Sequence, residues 1–248
     1  MCGTCGCSAT VATVPEHGHG HGHGHGHGQR TVPLEVDVLA HNDHLAAANR
    51  RFFAQHGILV VNLMSSPGSG KTTLLERTVR ELSTELEVAV VEGDQQTHLD
   101  AQRIAATGCR AVQVNTGAGC HLDAAMLIDA LPQLDPPDDS VVFVENVGNL
   151  VCPALFDLGE SARVVVMSVT EGADKPLKYP HMFRTADLVL LNKIDLLDRV
   201  EFDVDAWVCW TRRVNPEVEI LKISATRGDG LAAWYRWVRR GLACARRQ

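Results

Sequence analysis

Seven short apolar runs, separated by amphipathic stretches, constrain this chain more than any other feature: residues 58–64, 88–91, 111–114, 141–144, 164–169, 188–191 and 220–223. The runs are continuous and mostly valine-rich, the pattern of strands covered on both faces in a parallel sheet. Helices are predicted over 71–84, 99–106, 123–131 and 230–245. Another, over 36–55, leads into the domain with Val38, Leu39, Leu45, Ala46, Asn49, Phe52 and Phe53 on one face, and ends at Gly57. Pro132, Pro136 and Pro137 predict a loop before the fourth run. The expected fold is three-layer α/β with a mostly parallel sheet of about seven strands.

The size of the chain, 248 residues with 45% hydrophobic content, suits one buried domain of roughly 200 residues and an appendage. Residues 1–30 form the appendage, and 31–248 the domain. Cys2, Cys5 and Cys7 stand at its start, followed by His17, His19, His21, His23, His25 and His27 alternating with glycine. Such a stretch has nothing apolar to bury and reads as a flexible, metal-binding tail. A net charge of -7 leaves no cationic excess for a phosphodiester backbone, so nucleic acid is not an expected partner. No apolar run approaches the roughly 20 residues that span a bilayer, and no basic-then-apolar leader opens the sequence, so a cytoplasmic protein without a membrane partner is expected. In a reducing compartment the eight cysteines point to metal ligation or buried thiols.

The first apolar run passes into Ser65-Ser66-Pro67-Gly68-Ser69-Gly70-Lys71-Thr72, and a helical pattern follows at once. Strand, glycine loop and helix in that order make a phosphate cradle, the P-loop, so the expected three-layer α/β fold is that of the P-loop NTPases. Gly68, Ser69, Gly70 and Thr73 supply backbone N–H groups, Lys71 reaches the β- and γ-phosphates, and the Thr72 hydroxyl ligates Mg²⁺. Ser65 stands where the pattern usually opens with glycine. Far along the chain, Asn192-Lys193-Ile194-Asp195 ends another apolar run. The Asp195 carboxylate can accept both the N1 and the 2-amino protons of guanine, a donor pair adenine lacks. Ser224 and Ala225 fit the short loop that supports the base. Asp94 and Glu145 end two further runs and are expected in the Mg²⁺ shell, directly or through water. Lys71, Thr72, Asp94 and Glu145 therefore form the expected catalytic set for GTP hydrolysis to GDP. No residue presents itself as the water-positioning group, so slow turnover is expected.

Metal-ligand chemistry recurs in three places. Cys2, Cys5 and Cys7 are spaced to wrap one nickel or zinc ion, and the histidine run offers many equivalent imidazoles suited to storage. Cys120, His121 and Cys152 sit on two loops that a parallel sheet can bring together. Three ligands leave a tetrahedral site incomplete, so water or a second copy of the chain would complete it. Cys109, Cys209 and Cys244 read as buried apolar thiols.

Taken together, Gly68-Ser69-Gly70-Lys71-Thr72, Glu92-Gly93-Asp94-Gln95-Gln96-Thr97, Gly119-Cys120-His121-Leu122-Asp123, the segment from Glu145 through Cys152 to Pro153, and Asn192-Lys193-Ile194-Asp195 resemble the HypB family of hydrogenase nickel-incorporation GTPases. The likeness covers essentially all of residues 30–248. It implies a GTP-dependent homodimer, a Ni²⁺ or Zn²⁺ site at Cys120, His121 and Cys152, and a separate nickel site at Cys2, Cys5 and Cys7. It also implies two partners, a small HypA-like nickel metallochaperone and the hydrogenase large subunit. Two alternatives are a urease-type nickel-insertion GTPase, which carries Cys-Pro-His where this chain has Gly119-Cys120-His121, and a nickel or zinc storage protein.

Overall fold

The computed structural model describes residues 34–94, 99–117 and 119–247. The cysteines at 2, 5 and 7 and the histidines at 17–27 lie outside the described residues, as do Gln95, Gln96 and Thr97.

Seven strands form one sheet: β1 (Leu59–Ser65), β2 (Val88–Asp94), β3 (Arg110–Asn115), β4 (Val141–Glu145), β5 (Ala162–Ser168), β6 (Leu188–Asn192) and β7 (Glu219–Lys222). Their order is β3-β2-β4-β1-β5-β6-β7, and every neighbouring pair is parallel. The helices are α1 (Leu34–Gln55), α2 (Lys71–Leu82), α3 (Leu99–Ala105), α4 (Ala124–Leu134), α5 (Lys175–Lys178), α6 (Pro180–Arg184), α7 (Val204–Val214) and α8 (Leu231–Ala245).

Alternation along each strand divides the core into two sides. Leu59, Val61, Leu63, Val90, Phe143 and Val166 meet α2 and α8, with Leu74, Val79 and Trp234 fully buried there. On the opposite side Val60, Val91 and Val142 meet Phe53 of α1 and Leu127 of α4. Farther along that side Val165, Met167 and Val189 meet Phe183 of α6 and Trp207 of α7. The inner strands β1, β4 and β6 are buried at every residue, as two-sided coverage demands, whereas the edge strands β3 and β7 are partly exposed.

Three local expectations need correction. Pro132 lies inside α4 rather than in a loop. It stands in the last turn, where it forfeits the bond to the Ile128 carbonyl, and Asp135 ends the helix three residues later in the left-handed region with its N–H on the Leu131 carbonyl. On α1, Val38 and Phe52 are exposed, and the buried face is Asn42, Ala46, Asn49 and Phe53. Ala46, Asn49 and Phe53 thus lie on the predicted face, and Asn42 joins them in place of Val38 and Phe52. Helix α7 was not anticipated, although it is amphipathic: Trp207 and Thr211 are buried, and Val204, Val208 and Val214 pack against the core beside them. Asp203 caps it, accepting the Ala206 N–H at 2.9 Å.

Gly159 lets α1 close on the sheet: it has φ +81°, and a Cβ there would stand 2.4 Å from the Ala46 carbonyl oxygen and 2.8 Å from the Arg50 nitrogen. Gly159→Ala combines a left-handed backbone cost of about 1–2 kcal/mol with a clash against helix backbone, so a loss of at least about 2 kcal/mol is expected. A denaturation midpoint within error of the parent would show that α1 yields freely.

Candidate functional site

Because all strands are parallel, their carboxyl ends share one edge, and a cleft of roughly 560 Å³ opens there. It is lined by residues 67–73, by Glu92, Gly93 and Asp94 from the end of β2, by 145–148 after β4, and by Arg103 and Lys193.

The glycine loop joins β1 to α2 through Gly70, which has φ +97° and is seated so that a Cβ would stand 2.6 Å from Asn192 Nδ2. Only glycine meets both conditions. Gly68 has φ +74° and faces open space. Ser65, the departure from the usual loop, is fully buried at the end of β1, and its hydroxyl accepts the Lys71 ammonium at 2.7 Å. The serine thus parks the lysine at the floor of the cleft. Thr72 Oγ1 donates to Glu145 Oε1 at 2.7 Å. Ser69 Oγ is buried without a hydrogen-bond partner among the described residues. A phosphate with Mg²⁺ fits this set: an orphaned hydroxyl, a lysine, and a threonine beside a carboxylate.

Asn192 ties the glycine loop to the loop after β7, donating to the Ser69 carbonyl at 3.0 Å and accepting the Ala225 N–H at 3.0 Å. Lys193, at φ +60°, donates to the Gly68 carbonyl at 2.7 Å. Asp195 lies beyond the cleft lining, its carboxylate held by the Ser224 hydroxyl at 2.6 Å. Asn192 and Lys193 therefore join the phosphate loop directly, Asp195 and Ser224 pair with each other beyond it, and Ala225 contributes through its backbone. Glu92 and Arg103 also line the cleft, although the motif reading assigned neither. Glu92 had a signal in sequence, an acid on a valine-rich strand; it pairs in register with Glu145 across β2 and β4.

Beside the cleft, Cys120, His121 and Cys152 bring one ligand atom each within 4.8 Å of the others, the one such cluster among the described residues. Cys152 opens a 3-10 turn (Cys152–Ala154). The His121 ring stacks on Phe156 with centroids 3.8 Å apart, and its Nδ1 lies 3.8 Å from Cys120 Sγ. Burial, then the neighbouring Cys152 thiol, hold the Cys120 thiol above its ordinary pKa. Burial lowers that of His121, against the pull of Asp123, a shift that favours the neutral imidazole over the charged one. Two thiols and an imidazole suit nickel or zinc. The remaining cysteines depart in part from expectation: Cys109 is half-buried with its thiol pushed up to about 11 by burial, but Cys209 and Cys244 are exposed.

Fold and cleft define a P-loop nucleotide-binding protein of the parallel α/β class. Residues 59–222 match the family model described as CobW/HypB/UreG, nucleotide-binding domain. The chain is 58% identical over 210 residues to the hydrogenase maturation factor HypB of Escherichia coli K12, covering 85% of this chain and 72% of that protein. It is 56% identical over 211 residues to its counterpart in Azotobacter vinelandii, covering 85% and 70%. Among solved structures, HypB from Archaeoglobus fulgidus superposes with a TM-score of 0.77 at 39% identity, covering 82% of this chain and 99% of that one. HypB from Helicobacter pylori in complex with nickel gives 0.76 at 38% identity, covering 82% and 95%. The chain belongs to the CobW/HypB/UreG family, in its HypB branch.

Gly70→Ala forces the loop out of its phosphate-binding shape to escape a strain of about 1–2 kcal/mol, so nucleotide affinity should fall about tenfold by calorimetry. Unchanged affinity would mean that the loop binds nucleotide in another shape.

Proposed function

We propose that the protein is a GTPase that delivers nickel during hydrogenase maturation, with nucleotide state setting the affinity of the Cys120, His121 and Cys152 site. One observation carries this reading: a single short segment, 145–152, touches both centres. Glu145 accepts the Thr72 hydroxyl in the cleft, and Gly148 packs so tightly on Pro67 that a Cβ would come within 3.1 Å of its backbone. On the other side Asn146 Oδ1 accepts the Leu122 N–H at 3.1 Å, and Asn149 Nδ2 donates to the Cys120 carbonyl at 3.3 Å. The segment ends in the ligand Cys152.

In this reading, water attacks the γ-phosphorus of GTP, the bond to the β-phosphate oxygen breaks, and GDP and phosphate leave. Lys71 exchanges Ser65 for phosphate oxygens and balances their charge. Thr72, Glu145 and Asp94 would hold Mg²⁺, which when bound neutralises the charge shared by the phosphates. Asp195, oriented by Ser224, accepts the guanine protons. Loss of the γ-phosphate releases Glu145, and the strap passes that shift to Cys152, loosening nickel for its acceptor. Two thiolates and one imidazole leave a position for water or a second protomer, which supports GTP-dependent dimerisation and hand-over to a HypA-like chaperone and the hydrogenase large subunit. Zinc fits the same ligands. Among the described residues no helix is long and apolar enough to cross a membrane. The tail cysteines at 2, 5 and 7 belong to this proposal as a separate nickel site, and the histidine run as a store.

The deciding experiment measures nickel affinity with GDP and with a slowly hydrolysed GTP analogue, in the parent, Cys152→Ala and Asn146→Ala. The parent should show a nucleotide-dependent affinity, Cys152→Ala should lose the responsive site, and Asn146→Ala should bind nickel with equal strength in both states. A parent indifferent to nucleotide would sink the switch and favour storage. For the base, Asp195→Asn should weaken GTP by about 1–3 kcal/mol, roughly ten- to a hundredfold, and improve XTP, whose 2-oxo group accepts the new amide proton. Undiminished GTP affinity would remove Asp195 from the base site.

A further inference from the structure

The ligand set comes from two separate stretches of chain, and helix α1 binds the backbone of both. Cys120 and His121 precede α4, whose first residue is Ala124; Cys152 precedes Phe156, Asp157 and Leu158. Asn42 accepts the Ala124 N–H at 3.0 Å and donates to the Asp157 carbonyl at 2.8 Å. One turn pair further on, Asn49 Nδ2 donates to the Ala124 carbonyl at 3.0 Å and the Leu158 carbonyl at 2.9 Å. Each amide therefore bridges the same two stretches, and both are buried, at 5% and 1% exposure.

Leucine at either position would fill the groove without the desolvation cost of an amide. A buried amide recovers that cost only through its hydrogen bonds, and these bonds join the two ligand-bearing stretches rather than α1 to itself. Phe156 lies between the anchored Asp157 and the metal ligands, and its ring stacks on His121 at an interplanar angle of 24°. We infer that α1 is a staple that sets the separation of the metal ligands, with Asn42, Asn49 and Phe156 as positioning residues: the two amides fix the distance between the stretches and the ring fixes the plane of the imidazole. The inference rests on the reading of Cys120, His121 and Cys152 as a metal site.

Both claims are tested by Zn²⁺ titration of the full chain against a chromophoric chelator, with GDP affinity and thermal midpoint measured in parallel. Co²⁺ absorption in the visible reports the geometry of the thiolate site. Cys152→Ala measures the contribution of the other ligands, which is common to all variants. Asn42→Ala and Phe156→Ala should each weaken the Cys152-dependent site about tenfold, the lower end for groups that orient ligands, and change its Co²⁺ spectrum, with GDP affinity unchanged. Phe156→Tyr, which keeps the ring, should restore parental affinity. Asn49→Ala serves only if its thermal midpoint shows a folded protein; Phe156→Ala, at a partly exposed position, keeps the test open otherwise. Parental zinc affinity and Co²⁺ spectra in Asn42→Ala and Phe156→Ala, with loss in Cys152→Ala, would overturn the staple and leave the metal site standing. No loss in Cys152→Ala would instead overturn the metal reading on which the staple rests.

Discussion

Parallel pairing places the carboxyl end of every strand at one edge of the sheet, and the groups with chemistry to perform in this protein depend on that constraint. Ser65 ends β1, Asp94 ends β2, Glu145 ends β4 and Asn192 ends β6. Residues separated by more than a hundred positions meet within hydrogen-bond reach, as Asn192 does with Ser69. The cost is that every inner strand must be covered on both faces, which is why eight helices, some of them short, surround seven strands among the described residues.

Features carried by contiguous residues were readable before any coordinates. The seven apolar runs became the seven strands, and the glycine loop fell between β1 and α2 because its residue types admit few other shapes. The acidic strand ends reached the cleft because a parallel sheet offers them no other destination. The cluster of Cys120, His121 and Cys152 was readable as a candidate because each ligand follows a strand end.

What escaped the reading depends on partners far away in sequence. Asn42 looks like an ordinary polar position on an amphipathic helix, and Asn49, though on the predicted face, shows no reason for an amide there, until Ala124, Asp157 and Leu158 are placed against them. Phe156 carries no motif, and its role arises only from the ring it meets. Pro132 reads as a loop residue because a proline breaks the bond to the carbonyl four residues before it, and the packing that holds α4 together despite that loss comes from residues distant in sequence. Cys209 and Cys244 illustrate the same limit from the other direction. Their helices are amphipathic, but which face points inward is settled by the sheet, and both thiols ended outside.

The strap from Glu145 to Cys152 is anchored at nearly every step: Glu145 on Thr72, Asn146 on Leu122 and Asn62, Gly148 on Pro67, and Asn149 on Cys120. A tether with slack absorbs motion at one end before the other feels it. The proposed switch would use a linkage pinned this often as a connecting rod, its ends keeping a fixed phase and displacement conserved along it rather than diluted. In the proposed switch, timing at the metal ligands would follow timing at the nucleotide, without a separate signal passing between them.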